Sequence, residues 1–310
     1  MKLIAIKIFR AGITIWLVVT IAFLILRLSG DPLESLVGDD ASQQVVEYYR
    51  QKYGFDRPLY HQYLSYFANV LSGDLGVTLQ EERNALEVVL EAIPRTLELG
   101  FLSLALSLII GIPLGIVAAL HRNKLIDRFT MSFAVLGFSV PNFFLGILLI
   151  LLFSLWLRLL PSSGTGTFYH LIMPAITLGT SSAGSIARFA RSSMLDVLNK
   201  SYMRTAAAKG VPRFRRFAWH ALPNAAIPIV TIIGFRLGDL VAGSIVTETV
   251  FAWPGVGRLL VNAVQTRDLA VVQTILLMVG ATMTLANLMV DIAYGWIDPR
   301  IRTSADADRK

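Results

Sequence analysis

Cysteine is absent from the 310 residues, which excludes a disulfide framework and any thiolate metal site. Charge is scarce: 16% of the residues are Asp, Glu, Lys or Arg, too few to solvate the surface of a chain whose mean hydropathy is +0.61. The four histidines, His61, His121, His170 and His220, are scattered over separate segments. No H-E-x-x-H pair or neighbouring ligand equips them for metal chemistry. A phosphate-binding G-x-x-x-x-G-K followed by Ser or Thr is also missing, since Lys200 and Ser201 follow Asn199 and not glycine. Without that loop the chain does not bind and hydrolyse ATP by itself. The stretch PSSGTG from Pro161 resembles a serine turn, but no partner base accompanies Ser162 or Ser163, so a loop is the better reading than a hydrolase.

What the chain has in abundance is apolar sequence, 55% of its residues. A hydrocarbon core of about 30 Å is crossed by roughly 20 helical residues. Six runs of that kind stand out: Ile8 to Leu28, Leu97 to Leu120, Met131 to Leu157, Leu171 to Ala190, Ile227 to Phe251 and Val271 to Ile297. The first is too long for a signal-peptide core and no small-residue cleavage site closes it, so it reads as a retained anchor. An all-α polytopic membrane protein with six transmembrane helices is the expected fold class.

Basic residues set its orientation. Lys2, Lys7 and Arg10, the turn Arg122 to Arg128, the loop from Arg188 to Arg216, and the tail from Arg300 to Lys310 hold most of the 28 basic residues. All of these segments fall on one side of the six runs. The positive-inside rule then places both termini and the loop from Arg188 to Asn224 in the cytoplasm. The same arginines admit a nucleic-acid or anionic-lipid reading. No stacking aromatics in repeated register accompany them, so no nucleic-acid partner is expected. On the other side, the segment from Ser29 to Thr96 shows helical spacing of Tyr60, Tyr63, Leu64, Phe67 and Leu71 up to Gly73, and of Leu86, Val89, Leu90 and Ile93 up to Pro94. Two short amphipathic helices are predicted there.

Polar groups inside the runs matter more than their number suggests. The fourth run carries Thr177, Thr180, Ser181, Ser182 and Ser185, and belongs inside a bundle or beside water. In the fifth, Arg236 and Asp239 lie one helical turn apart, on the face continued by Ser244 and Thr247. Ionised groups at such depth cost about 2.5 to 3.5 kcal/mol each on insertion scales, so they face protein or water. Two readings stay open: an ion pair that fixes helix packing, or a stripe with Ser181, Ser185, Arg236, Asp239, Ser244 and Thr247 lining a pathway. Glu248 and Asp291, near run ends, read as interfacial. Gly111 and Gly115 form G-x-x-x-G in the second run, a spacing for close helix approach within the chain or between subunits.

Between the fourth and fifth runs, Ser201 can cap a helix, Arg204 to Lys209 favour one, and Gly210 with Pro212 can end it. A short rigid helix, held at both ends by spans, can carry force from a soluble partner into the bundle. The spacing Ala206, Gly210, then Leu222 and Pro223 resembles the EAA loop, E-A-A-x3-G-x9-I-x-L-P, of binding-protein-dependent ABC importer permeases. Arg204 and Thr205 replace its first two residues and His220 its isoleucine. "YMRTAAAKG" is similar to the version in the dipeptide, oligopeptide and nickel branch, with Ala207 in place of an arginine.

Ordered similarity continues through SGDPL, YGFDRPLYHQY, SGDLGVTL, IPLGIVAA, SVPNFF, MPAITLG, ARFARSSMLDVL, HALPNAAIPIVT, GSIVTETVFAWPGVGRLLVNAV and DPRIR. The long loop after the first run is similar to that of the B-type permease.

This resemblance implies a type I ABC importer permease fold in the bacterial or archaeal inner membrane. It divides the chain into a first helix over 1–28, a helical periplasmic loop over 29–96, a five-helix core over 97–297 including the cytoplasmic loop 188–224, and a cytoplasmic tail over 298–310. It also implies a C-type permease partner, two ATP-binding subunits that use ATP and Mg, and a periplasmic or lipid-anchored solute-binding protein. The chain itself would bind no cofactor or metal, contact membrane lipid, and perform no covalent chemistry. Tyr202, Arg204, Thr205, Ala206, Ala207, Lys209, Gly210, Leu222 and Pro223 would contact or position the ATPase. Small peptides are the expected cargo, with nickel chelate, glutathione or another solute of the branch as the alternative. An ATP-independent carrier or channel using Arg236 and Asp239 is the more remote reading.

Overall fold

The computed structural model describes residues 2–28, 30, 33, 37, 42–79, 81–238 and 244–297. Among them the regular structure is helical, apart from one antiparallel bridge between Val77 and Asn84. The helices are α1 (Lys2–Leu28), α2 (Gln43–Lys52), α3 (Leu59–Leu71), α4 (Ala85–Leu120), α5 (Leu125–Ser139), α6 (Asn142–Leu149, continued as a π-helical Ile150–Trp156), α7 (Tyr169–Leu198), α8 (Ser201–Ala208), α9 (Leu222–Gly238), α10 (Ile245–Val250), α11 (Val256–Gln265) and α12 (Leu269–Ile297). Contacts group the chain into two units, Met1–Thr96 with Pro254–Thr284, and Leu97–Trp253 with Leu285–Lys310.

In the first unit, α1 buries Val19 and Phe23 while Ile8, Phe9, Ile13 and Trp16 stay exposed as a lipid-compatible face. Gly280 of α12 lies so close to Ile15 that a Cβ there would stand 2.8 Å from its Cγ1. The predicted amphipathic helix up to Gly73 is α3. It is tied to α1 by a 2.8 Å hydrogen bond between the hydroxyls of Thr20 and Tyr63 and by edge-on contact of Phe23 with Tyr63. Asp268 heads α12. Its carboxylate accepts from Leu79 N at 2.9 Å and from Val271 N at 3.3 Å, so one buried side chain fastens both the loop before α4 and the first turn of α12. Burial pushes that carboxyl above its ordinary pKa, with the backbone N–H groups opposing the rise.

The second predicted helix does not end at Pro94. Helix α4 runs through Pro94 and Pro113 without interruption. Proline removes one donor from the ladder, and flanking turns held by packing tolerate this in membrane helices. Here Thr96, fully buried, accepts from Val256 N at 2.8 Å and anchors the turn that follows Pro94.

In the second unit α7 is the central rod. A Cβ at Gly111 would stand 2.7 Å from the Ala183 carbonyl oxygen, and one at Gly115 would stand 2.3 Å from that of Ala187. A Cβ at Gly184 of α7 would likewise stand 2.3 Å from the Ala134 carbonyl oxygen of α5. The G-x-x-x-G spacing of α4 therefore serves packing within the chain, with backbones approaching where side chains would separate them. This explains the polar fourth run: Thr177 and Ser185 are buried, and Thr177 and Thr180 return their hydroxyl protons to the carbonyls of Met173 and Ile176.

Six single-helix spans were expected. Three helical segments are long and apolar enough to cross a membrane among the described residues: Ile8–Ile25, Ala85–Leu120 and Arg213–Gly234. A fourth is reached if the pair Leu125–Ser139 and Asn142–Trp156 is counted as one span. That pair is the third run, bent by 97°. Pro141 cannot donate, and it drives Val140 out of the helical region to φ −76°, ψ 122°. The fourth run falls short on polarity because α7 faces protein. Within the fifth run the described helical residues are those of α9 up to Gly238 and of α10 from Ile245, and Asp239 lies outside the described residues. In α12 the described apolar stretch is Leu269–Leu285.

Candidate ATPase-coupling site

Helix α8 forms where the sequence places it, with a different N-terminus. Lys200, extended at φ −68°, ψ 151°, is the capping residue, and Ser201 is the first helical residue without a side-chain cap. The C-terminus follows the glycine rule. Gly210 sits at φ +77°, its N–H donates to Ala207 O at 3.0 Å, and Val211 N donates to Ala206 O at 3.1 Å. These two bonds close a Schellman turn.

Met203 is the anchor of α8. It is buried in a cluster with Ala119 of α4, Met194 and Val197 of α7, and Ala221 and Ala225 around the start of α9, with Leu222 packed against them. Tyr202, Arg204, Thr205, Ala207, Lys209, Gly210 and Pro223 stay exposed, while Ala206 and Leu222 are half-buried. One apolar tooth thus seats a short helix that is otherwise open except at half-buried Ala206. Beyond it, a π-helical turn over Arg216–Ala221 precedes Leu222 and Pro223. Pro223 offers no N–H, and the wide turn absorbs the missing bond. Asn224 donates its side-chain amide to His220 O at 2.8 Å, supplying a partner to that carbonyl.

Two residues outside the motif tie α7, the helix that precedes α8, to α5. Arg191, seven residues before the end of α7, grips Asp127 of α5 by a two-pronged bond, Nε to Oδ1 at 2.7 Å and Nη2 to Oδ2 at 2.8 Å. The N–H of Asn123, in the left-handed region at φ 64°, donates to the same Oδ2 at 2.9 Å. The Asp127 side chain is 5% exposed and that of Arg191 26%. Planar, charge-assisted pairs of this kind fix direction as well as distance. In the sequence Arg191 stands out only as one of the cytoplasmic-side charges. A usable signal was that Asp127 is the single acid within the basic Arg122 to Arg128 turn.

The residues proposed to line a pathway are distributed differently. Ser185 of α7 is buried and Ser181 is half-buried; Arg236 is half-buried on α9. Ser244 and Thr247 lie buried at the start of α10, which packs on α6 and α7. Glu248 is fully buried and accepts the Ser244 hydroxyl at 2.6 Å. A charge-bearing group there stays only when satisfied by neighbours. Asp291 has no described side chain. At the PSSGTG loop, His170 Nδ1 bonds the Thr167 hydroxyl at 2.9 Å, and Gly164 N donates to Phe251 O at 3.0 Å, so the loop is packed on the α10 turn. Among the described residues no group of three or more His, Asp or Glu is placed to hold a metal ion.

Residues 111–303 match the model of the binding-protein-dependent transport system inner membrane component. The chain belongs to that family. Over 290 residues it is 44% identical to the glutathione transport system permease protein GsiC of Escherichia coli O6:H1, covering 93% of this chain and 95% of that protein. Its fold is that of solved importer permeases. The inward-facing MetNI methionine ABC transporter superposes with a TM-score of 0.59 at 19% identity, over 68% of this chain and 96% of the other. An amino acid ABC transporter crystallised with histidines gives 0.52 at 15% identity, over 66% and 92%. This family member is a B-type permease, a non-catalytic transmembrane subunit of an ABC importer and a multi-pass protein of the bacterial inner membrane. ATP and Mg are held by the separate ATPase subunits with which such a permease works.

Proposed function

We propose that this permease forms half of the translocation path of an importer for glutathione or a closely related short peptide. The carrying observation is the 44% identity, over nearly all of both chains, to a glutathione transport system permease. The motifs shared across the branch serve coupling and do not by themselves separate glutathione from generic peptides or nickel chelates, so near full-length identity is the better guide to cargo.

In this reading a second, C-type permease completes the path, a periplasmic or lipid-anchored binding protein delivers cargo to segment 29–96, and two ATPases engage the segment 188–224. Six spans would put both termini, including the tail 298–310, in the cytoplasm. Tyr202, Arg204, Thr205, Ala206, Ala207, Lys209 and Gly210 form the coupling surface, and Leu222 and Pro223 set the angle at which α9 leaves it. Supporting this, α8 is exposed apart from its Met203 anchor and the half-buried Ala206. ATP-driven closure of the partner subunits then shifts the bundle between inward-facing and outward-facing populations. Ser181, Ser185, Arg236, Asp239, Ser244 and Thr247 are the candidates for the face along which cargo passes.

The test is uptake of radiolabelled glutathione by proteoliposomes holding the complete system. Excess unlabelled glutathione should reduce labelled uptake at least tenfold, while an excess of dialanine or of a nickel–histidine chelate should leave it within twofold. Uptake blocked equally by dialanine would replace glutathione with general peptides. Uptake of the nickel chelate in place of glutathione would overturn the peptide reading.

A further inference from the structure

A cavity of about 670 Å³ lies within the first unit, walled by the end of α1, the end of α2 and the loop after it, α3, the loop before α4, and the start of α12. That volume is within the range of about 300 to 1,000 Å³ usual for small-molecule sites. Its floor is buried, with Phe23, Asp268 and Gln273 2%, 4% and 1% exposed, while Gln51, Arg57 and His61 at the rim are exposed.

Four buried polar atoms of its lining have no hydrogen-bond partner among the described residues: Tyr53 Oη, Gln62 Oε1, Tyr66 Oη and Gln273 Nε2. Buried polar groups are nearly always paired, and leaving four unpaired around one space is costly unless something enters it. Their chemistry is specific. Gln62 spends its amide N–H groups on Arg57 O at 2.7 Å and Phe55 O at 3.4 Å, which leaves its carbonyl oxygen as a pure acceptor. Gln273 contributes a donor, and the two phenols can do either. A donor and an acceptor set across a chamber with Phe23, Phe55 and tyrosine rings in its walls match the C=O and N–H of a peptide link flanked by carbon. The guanidinium of Arg27, lying over the Phe55 ring at 4.3 Å, adds a cation to the lining for a carboxylate.

We infer that this cavity is a binding site for a short peptide, held through one of its amide links by Gln62, Gln273 and the hydroxyls of Tyr53 and Tyr66. The inference rests on the reading that the cargo is peptide, and it gives the permease a cargo site of its own, apart from the transmembrane face.

The experiment uses the complete membrane complex in nanodiscs, without the solute-binding protein, and measures binding of radiolabelled glutathione by equilibrium dialysis. The unaltered complex should bind saturably, and Tyr66→Phe and Gln273→Leu should each weaken binding at least tenfold. Each variant removes an unpaired polar atom, so its melting temperature without glutathione should equal or exceed that of the parent, whereas a merely structural role would lower it. No saturable binding by the parent, or binding unchanged in both variants, overturns the site and leaves a hydrated void. Glutathione uptake by the parent, measured in parallel with its binding protein, separates the two ideas. Uptake without cavity binding refutes the site alone, and loss of both refutes the cargo reading as well.

Discussion

Replacing Gly210 by proline should abolish the stimulation of ATP hydrolysis by cargo-loaded binding protein, a loss of at least tenfold, while the complex still assembles in the membrane. Gly210 holds φ at +77° and has no atom within 4 Å of where a side chain would begin, so its role is purely conformational. Proline locks φ near about −65° and cannot donate an N–H. The bond from Gly210 N to Ala207 O disappears, and the bond from Val211 N to Ala206 O loses its geometry. An eight-residue helix is marginal without such an end, and α8 would unwind from its C-terminus while Met203 still holds its first turn. Ala206→Glu separates the shape of the helix from its surface: the turn survives, and a charge is set on the half-buried flank. Stimulated hydrolysis measured on purified complexes should fall in both variants. Undiminished stimulation in either would remove α8 from the coupling route.

The second large effect is expected at Asp127. Asp127→Ala deprives Arg191 of both prongs and Asn123 of its acceptor. Arg191 retains partial access to solvent, so the loss should be about 1 to 2 kcal/mol, below that of a fully buried pair. Thermal unfolding of the purified complex in detergent should register it. Arg191→Ala alone should cost a similar amount, and the double variant less than the sum, because each single change leaves an unpaired ion behind. Strictly additive losses would show that the fork contributes no coupling energy. If it also frames α8, cargo-stimulated hydrolysis should fall in Asp127→Ala and recover partly in Asp127→Glu.

What could be read in advance was local. Helix α3 ends at Gly73, and α8 ends at Gly210, because the signals that stop them lie within a few residues and need no distant partner. The family resemblance was equally legible, being carried by short ordered motifs. Pro141 and Pro94 show where local reading divides: the same residue type breaks one apolar run by 97° and passes through another unbroken. The difference lies in the surroundings, since the turn after Pro94 is secured by a bond to Val256, 160 residues away. Similar distances hid the rest. Asp127 and Arg191 are 64 residues apart. Glu248 is buried through packing of α10 that its position at a run end concealed, and the cavity draws its unpaired atoms from three separate segments. The polar fourth run was understood in kind, since its small residues had to face protein; which helices they face needed the backbone contacts of Gly111, Gly115 and Gly184.

The central claim is that motion generated in separate ATPase subunits reaches a chemically inert bundle through α8. Concentrative uptake by proteoliposomes, with and without the ATPase subunits, tests it most directly. With ATP inside the vesicle-bound system and cargo-loaded binding protein supplied, the full complex should accumulate solute against its gradient, and the two permeases alone should not, whatever proton gradient is imposed. Accumulation by the permeases alone would contradict the account.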